Sequence, residues 1–185
     1  MLAVSESMAR SKKPRSLVSF LSGDVERFSV NIDKALAIGN QQRIPFVQML
    51  LGPIWVGLRH LMNEEWREAI DIMPGPIGGW RMMGGGVALP WWEASLGQAH
   101  IKLGEFDAGL GLINQAIKVA KTTGEAWYGP EIYRIKGESL LAQNAKDLAK
   151  AEACFRKALF WAEERGSHAL ADRARLSLGE HGMAV

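Results

Sequence analysis

The chain has 185 residues, 48% hydrophobic and 23% charged, a composition typical of one folded domain and unlike that of a disordered chain. Its 22 basic and 20 acidic residues leave a formal net charge of +2, too small to predict binding to nucleic acid or to a membrane. The single cysteine, Cys154, cannot form an internal disulfide, and the four histidines lie far apart. We therefore expect a cytoplasmic protein without metal or cofactor.

The N-terminal segment, residues 1–15, carries four basic residues between Arg10 and Arg15. No long apolar run follows them, and Pro14 interrupts the stretch, so the pattern of a secretory signal is absent. We interpret this segment as a flexible basic arm and residues 16–185 as a single domain. No apolar stretch reaches the roughly 18 to 20 residues that a membrane-spanning helix needs.

Most of the domain shows apolar residues at spacings of three and four, which predicts helices with one buried face. Asp24 is a candidate N-cap, and Gly39, Gly124 and Gly166 stand where a left-handed residue would end a helix. Alternating β-branched residues are absent, so no strand is predicted. The predicted helices span about residues 24–38, 42–61, 64–73, 90–103, 105–123, 130–143, 147–165 and 167–180.

The segment 74–86 interrupts this pattern with two prolines and a run of glycines, and we interpret it as an irregular loop. In one interpretation Trp80, Met82 and Met83 are adaptable apolar contacts of a mobile loop that binds a ligand or partner. In the other they fill the core beneath a long connection. A phosphate-binding loop is disfavoured, because no strand precedes the glycines and no Lys-Ser/Thr follows them.

A short pattern of an apolar residue, two polar or small residues, alanine and an apolar residue occurs at residues 32–36, 113–117 and 155–159. Gly97 and Gly137 lie in the helices before the last two copies, and Gly52 is assigned the same part before the predicted helix 64–73. A small residue where two helices cross lets a large residue of the other helix come close. These positions therefore predict crossing points of helical hairpins.

The residues Leu96-Gly97, Leu103-Gly104-Glu105-Phe106, Ile113 and Ala116 resemble the tetratricopeptide repeat. The chain departs from that family at its usual Tyr, where His100 stands, and at the early Ala of the second helix, where Gly109 stands. The resemblance implies an all-α fold of about eight helices, stacked as antiparallel hairpins in a short right-handed superhelix. The glycine spacings of 45 and 40 residues exceed the family period of 34 and leave a HEAT-type arrangement open.

A narrower resemblance is carried by residues 125–138 and 151–159. They are similar to the C-terminal helical repeats of large bacterial regulators, which join a nucleotide cyclase or transcriptional-regulator domain to a signal-transduction ATPase. The resemblance covers roughly residues 24–182 and implies a sensor or scaffold segment. The phosphate-binding motif of an ATPase, Gly-x-x-x-x-Gly-Lys-Ser/Thr, is absent from the sequence.

In helical-hairpin repeats the first helices line the concave face, and the resemblance implies a groove with the residues Trp91, Gln98, Lys102, Arg134 and Glu138. Trp91 and Trp92 are adjacent, so we expect one of them in the core and the other on the groove or a neighbour. Arg134 and Glu138 are four residues apart and can pair along the helix. Alternatively, Arg134 and Lys102 together bind a carboxylate of a partner peptide.

These features predict a non-catalytic scaffold that binds a protein or peptide as a sensor or regulatory module in bacterial signalling or transcription. Self-association through the terminal helices is a second kind of contact. Glu64 and Glu65 are interpreted as acids at a helix N-terminus and Cys154 as an inert buried thiol. The alternative function is a small-molecule sensor or an enzyme, which predicts a deep cavity with convergent polar groups near Trp80, Trp91 and His100.

Overall fold

The computed structural model describes residues 15–125 and 127–184, with side chains from Ser19 onward. Every regular element in these ranges is helical, and none of the described helices has the length and hydrophobicity needed to cross a membrane. A π-helical turn, Val47–Leu51, leads directly into α3. The helices are α1 (Arg15–Ser22), α2 (Val25–Gln41), α3 (Gly52–Met62), α4 (Trp66–Ile72), α5 (Pro74–Met82), α6 (Leu89–Lys102), α7 (Phe106–Thr123), α8 (Gly129–Gln143), α9 (Leu148–Glu164) and α10 (His168–Glu180).

The N-terminus differs from the sequence prediction. Residues 1–14 of the predicted basic arm lie outside the described residues, and Arg15 begins α1, a helix that the sequence analysis did not assign. A turn with Gly23 at φ +71° joins α1 to α2. Asp24 caps α2 as predicted, because its Oδ1 accepts the Arg27 N–H at 2.9 Å.

The predicted stop at Gly39 is wrong, because α2 continues to Gln41. Gly39 is instead buried against the π-helical turn, where an added Cβ would lie 2.8 Å from Cβ of Val47. The glycine therefore permits a close approach between two elements. The stops at Gly124 and Gly166 are confirmed, with φ of +73° and +62°.

The irregular loop predicted for residues 74–86 is wrong over its first part, because Pro74–Met82 form α5. Both prolines stand in the first turn, where a backbone N–H has no partner within the helix, so neither removes a hydrogen bond. Packing of two side chains holds this glycine-rich helix in place. Ile77 is buried, and Trp80 contacts Phe46 and Trp92 at ring-centroid distances of 5.6 and 6.4 Å. The turn itself is confined to the residues after Met82.

Glycines mark the crossing points of three consecutive helix pairs. Gly57, Gly97 and Gly137 recur at intervals of 40 residues. At each one, a buried side chain further along the chain takes the space that a Cβ would need. The pairs are Gly57–Met73 (Cβ to Sδ 2.7 Å), Gly97–Ile113 (2.9 Å) and Gly137–Phe155 (2.7 Å), and Met73 stands at the junction of α4 and α5. The assignment of Gly52 to the first crossing is wrong, since Gly52 lies against the carbonyl of Val47 and the side chain of Leu36.

Two of the turns between these helices are built alike. The Glu65 N–H donates to the His60 carbonyl, and the Glu105 N–H donates to the His100 carbonyl, both at 2.9 Å. Each glutamate carboxylate also lies against Nδ1 of the same histidine, at 2.6 and 2.5 Å. Glu64 lies in the turn between α3 and α4 with φ +63°. Only Glu65 of the predicted acidic pair therefore stands at the N-terminus of α4.

Helix α6 is the centre of the core. Every residue from Leu89 to Gly97 is buried, because α4 and α5 pack on one side of the helix and α7 and α8 on the other. A helix covered on all sides needs no polar face, which explains the lack of a clear apolar stripe in this part of the sequence.

The crossing glycines yield a stability prediction with an internal control. Gly137→Ala places a methyl group against the buried ring of Phe155 and should lower the free energy of unfolding by about 1–3 kcal/mol. Gly111→Ala, at an exposed position of α7 with nothing within 4 Å, should raise it by roughly 0.5–1 kcal/mol through helix propensity. Urea unfolding of both variants measures the two effects. Equal changes in both variants would contradict the crossing role of Gly137.

Candidate partner-binding groove

A cavity of about 790 Å³ opens between α6, α8 and the C-terminal end of α10. Four of the five residues predicted for a groove lie around it, two on α6 and two on α8. Its floor is apolar towards the α8–α9 turn. We call this cavity the groove; the residues that define it are Gln98, Ile101, Lys102, Arg134, Glu138, Leu141, Leu148, Glu180 and His181.

Trp91, the fifth predicted residue, does not line the groove. Its side chain is 8% exposed, because α1 covers it: the ring of Phe20 meets the Trp91 ring edge to face at 5.2 Å. Tyr128 lies against its other side at 5.9 Å. The neighbouring Trp92 is 4% exposed and packs on Trp80. Both adjacent tryptophans are thus in the core. Of the two positions expected for the second one, the groove or a neighbour, the groove is excluded, and both rings pack on aromatic neighbours.

A buried carboxylate, Glu131 of α8, lies beside the groove between two guanidinium groups. Arg134 donates to it from Nε at 3.1 Å and from Nη2 at 2.8 Å, and Arg173 of α10 donates from Nε at 3.1 Å and Nη2 at 2.7 Å. Burial alone would raise the pKa of Glu131, which is 3% exposed. The two positive charges and their hydrogen bonds outweigh burial and hold this pKa below its usual range.

Most of the hydrogen-bonding groups of Arg134 are therefore already used within the protein. Its Nη1 lies 3.4 Å from both Glu138 Oε1 and Ser177 Oγ, so the predicted pairing with Glu138 exists but is the longer of its two ion pairs. Glu138 in turn accepts from the Ser177 hydroxyl at 2.6 Å and lies 3.1 Å from His181 Nε2. In contrast, Lys102 is exposed and makes no ion pair within the described residues.

Arg173 also ties the first helix to the last. Its Nη1 donates to the carbonyl of Leu21 at 3.2 Å, at the C-terminal end of α1, where a cation also favours the helix dipole. The Leu21 side chain packs beside Leu170 and Ala171 of α10. A smaller cavity of about 190 Å³, lined by Gln98, Tyr128 and Glu131 among others, lies between α1 and these helices.

The predicted loop contacts separate into two environments. Trp80 is partly buried, packs against the core and donates from Nε1 to the Val87 carbonyl at 3.1 Å. Met82 and Met83 are 87% and 62% exposed. None of the three lines the groove.

The small-molecule alternative placed a cavity near Trp80, Trp91 and His100, and none of these lines the groove either. No cluster of three His, Cys, Asp or Glu side chains suited to a metal ion is found in the part of the chain that the structure describes. Cys154 is half-buried rather than fully buried, and burial raises the pKa of its thiol.

The buried carboxylate gives a pH-dependent prediction. Glu131→Gln removes the carboxylate between the two guanidinium groups, leaving Arg173 without an ion pair and Arg134 with only its longer pair to Glu138. It should lower the free energy of unfolding at neutral pH by about 3–5 kcal/mol. Since the folded state lowers the Glu131 pKa, its stabilisation is complete above the ordinary value of 4.5 and is lost as the pH falls through the folded value. The difference in free energy of unfolding between the wild type and the variant should therefore become smaller as the pH falls below 4.5.

Urea unfolding across this pH range measures this difference. Glu152→Gln is the matched control, because it breaks an exposed pair with Arg156 and should cost no more than about 1 kcal/mol. If the difference in free energy of unfolding between the wild type and Glu131→Gln stays constant as the pH falls, the role assigned to Glu131 is contradicted.

Comparison with protein-family models and with curated proteins finds no match for this chain. The chemistry of the groove is therefore derived from its own residues.

Proposed function

We propose that the protein is a non-catalytic, cytoplasmic scaffold whose groove binds a protein or peptide, as a sensor or regulatory module of bacterial signalling or transcription. The observation that carries the proposal is the lining of the groove. Ile101, Leu141 and Leu148 supply apolar surface, while Lys102 and Glu180 offer opposite charges that pair with no described group. A peptide segment supplies apolar side chains and ionised groups of both signs in one ligand.

The other ionised groups of the groove are held by neighbours. Arg134 binds Glu131, and Glu138 lies between Ser177 and His181. Groups held in this way shape a surface and resist rearrangement when a ligand arrives. This arrangement supports recognition by a preformed surface, with Lys102 as the cation most available to a partner carboxylate.

The proposed architecture is a tetratricopeptide-like right-handed superhelix. Its support is the even interval of 40 residues between Gly57, Gly97 and Gly137. The space beside each glycine is filled by a large side chain further along the chain. The bacterial regulatory setting is supported by the resemblance of residues 125–138 and 151–159 to the repeats of such regulators. We extend the proposal to self-association through the last helix pair, where Phe160 and Leu176 are 58% and 65% exposed.

The groove is tested with a peptide selected from a displayed library on the wild-type chain. Lys102→Glu reverses the available charge and should weaken binding of that peptide by roughly tenfold or more, measured by calorimetry. Lys34→Glu, a reversal at an exposed position of α2 outside the groove, should leave the affinity unchanged. Trp91 and Arg134 are unsuitable for this test, because both are built into the fold.

Two outcomes would overturn the proposal: equal weakening by both lysine variants, or full affinity in Lys102→Glu. Thermal unfolding of each variant, expected to match that of the wild type, separates a binding effect from a folding effect.

A further inference from the structure

A second apolar cavity, of about 190 Å³, lies on the face of α8 opposite the groove, between α7, α8 and α9. The rings of Tyr133 and Trp161 meet edge to face in its wall, with centroids 5.4 Å apart. Ile117, Ala120 and Ile132 supply aliphatic surface. We call it the aromatic cavity. Its volume is below the roughly 300 Å³ at which small-molecule pockets begin, so it suits a single bulky side chain.

Three cations surround this cavity. Lys121 lines it, the Lys157 ammonium lies 4.5 Å from the centroid of the Tyr133 ring, and the Arg165 guanidinium lies 4.8 Å from that of Trp161. Cation–π attraction holds the last two charges against the two rings that line the cavity.

None of these three cations makes an ion pair within the described residues. Lys121, Lys157 and Arg165 therefore present positive charges beside this apolar cavity that no described carboxylate neutralises by direct pairing. Interfaces commonly combine such features, with an apolar anchor inserted in a pocket and complementary charges on the rim.

We propose that the aromatic cavity is a docking site for an acidic segment of a partner protein. One bulky apolar side chain of that segment enters between Tyr133 and Trp161, and the carboxylates beside it pair with Lys121, Lys157 and Arg165. The site is separate from the groove and does not depend on the function proposed for the groove.

The probe is a fluorescein-labelled peptide of aspartates and glutamates around one central phenylalanine, titrated with the full chain in fluorescence anisotropy. We expect saturable binding that weakens roughly tenfold in the double variant Lys121→Ala, Lys157→Ala. Both side chains are exposed, so the fold should be preserved. A peptide with alanine in place of the phenylalanine should also bind the wild-type chain weakly. Its affinity should be no higher than that of the double variant for the phenylalanine peptide.

The control double variant Lys34→Ala, Lys146→Ala removes the same charge at exposed positions away from the cavity and should bind as the wild type does. Absence of saturable binding, equal weakening in the control double variant, or undiminished binding of the alanine peptide would each overturn the proposal.

Discussion

The groove depends on one buried interaction, the carboxylate of Glu131 held between Arg134 and Arg173. A lone carboxylate at 3% exposure would be strongly destabilising, and either arginine alone would leave the desolvation of the site only partly offset. With both present, the site fixes the rotation of α8 and its distance from α10. Those two helices and α6 then define the width of the groove.

The helices themselves were largely predictable from the sequence, because most of them bury one face and end at a glycine with positive φ. The periodicity of α7 and α9 and the stop at Gly124 are local properties that one stretch of sequence contains. Helix α5 was missed because two prolines and several glycines suggest a loop, although prolines in the first turn are compatible with a helix.

The site was predictable only in part. Gln98, Lys102, Arg134 and Glu138 were expected in a groove from the resemblance to helical-hairpin repeats, and they surround one cavity. The burial of Trp91 depends on its contact with Phe20 of α1. This is a tertiary contact between α1 and α6, and no local sequence pattern predicts it. Similarly, choosing Gly57 over Gly52 as the crossing point required knowing which side of α3 faces α4 and α5.

The contact between Arg173 and Leu21 joins residues 152 positions apart in the chain. In a linear stack of helical hairpins each unit touches only its neighbours, so the ends can fray independently of each other. In this protein the first and last described helices contact each other directly. Loosening either end removes support from the other, so the described helices should unfold with greater cooperativity than an open array of the same length.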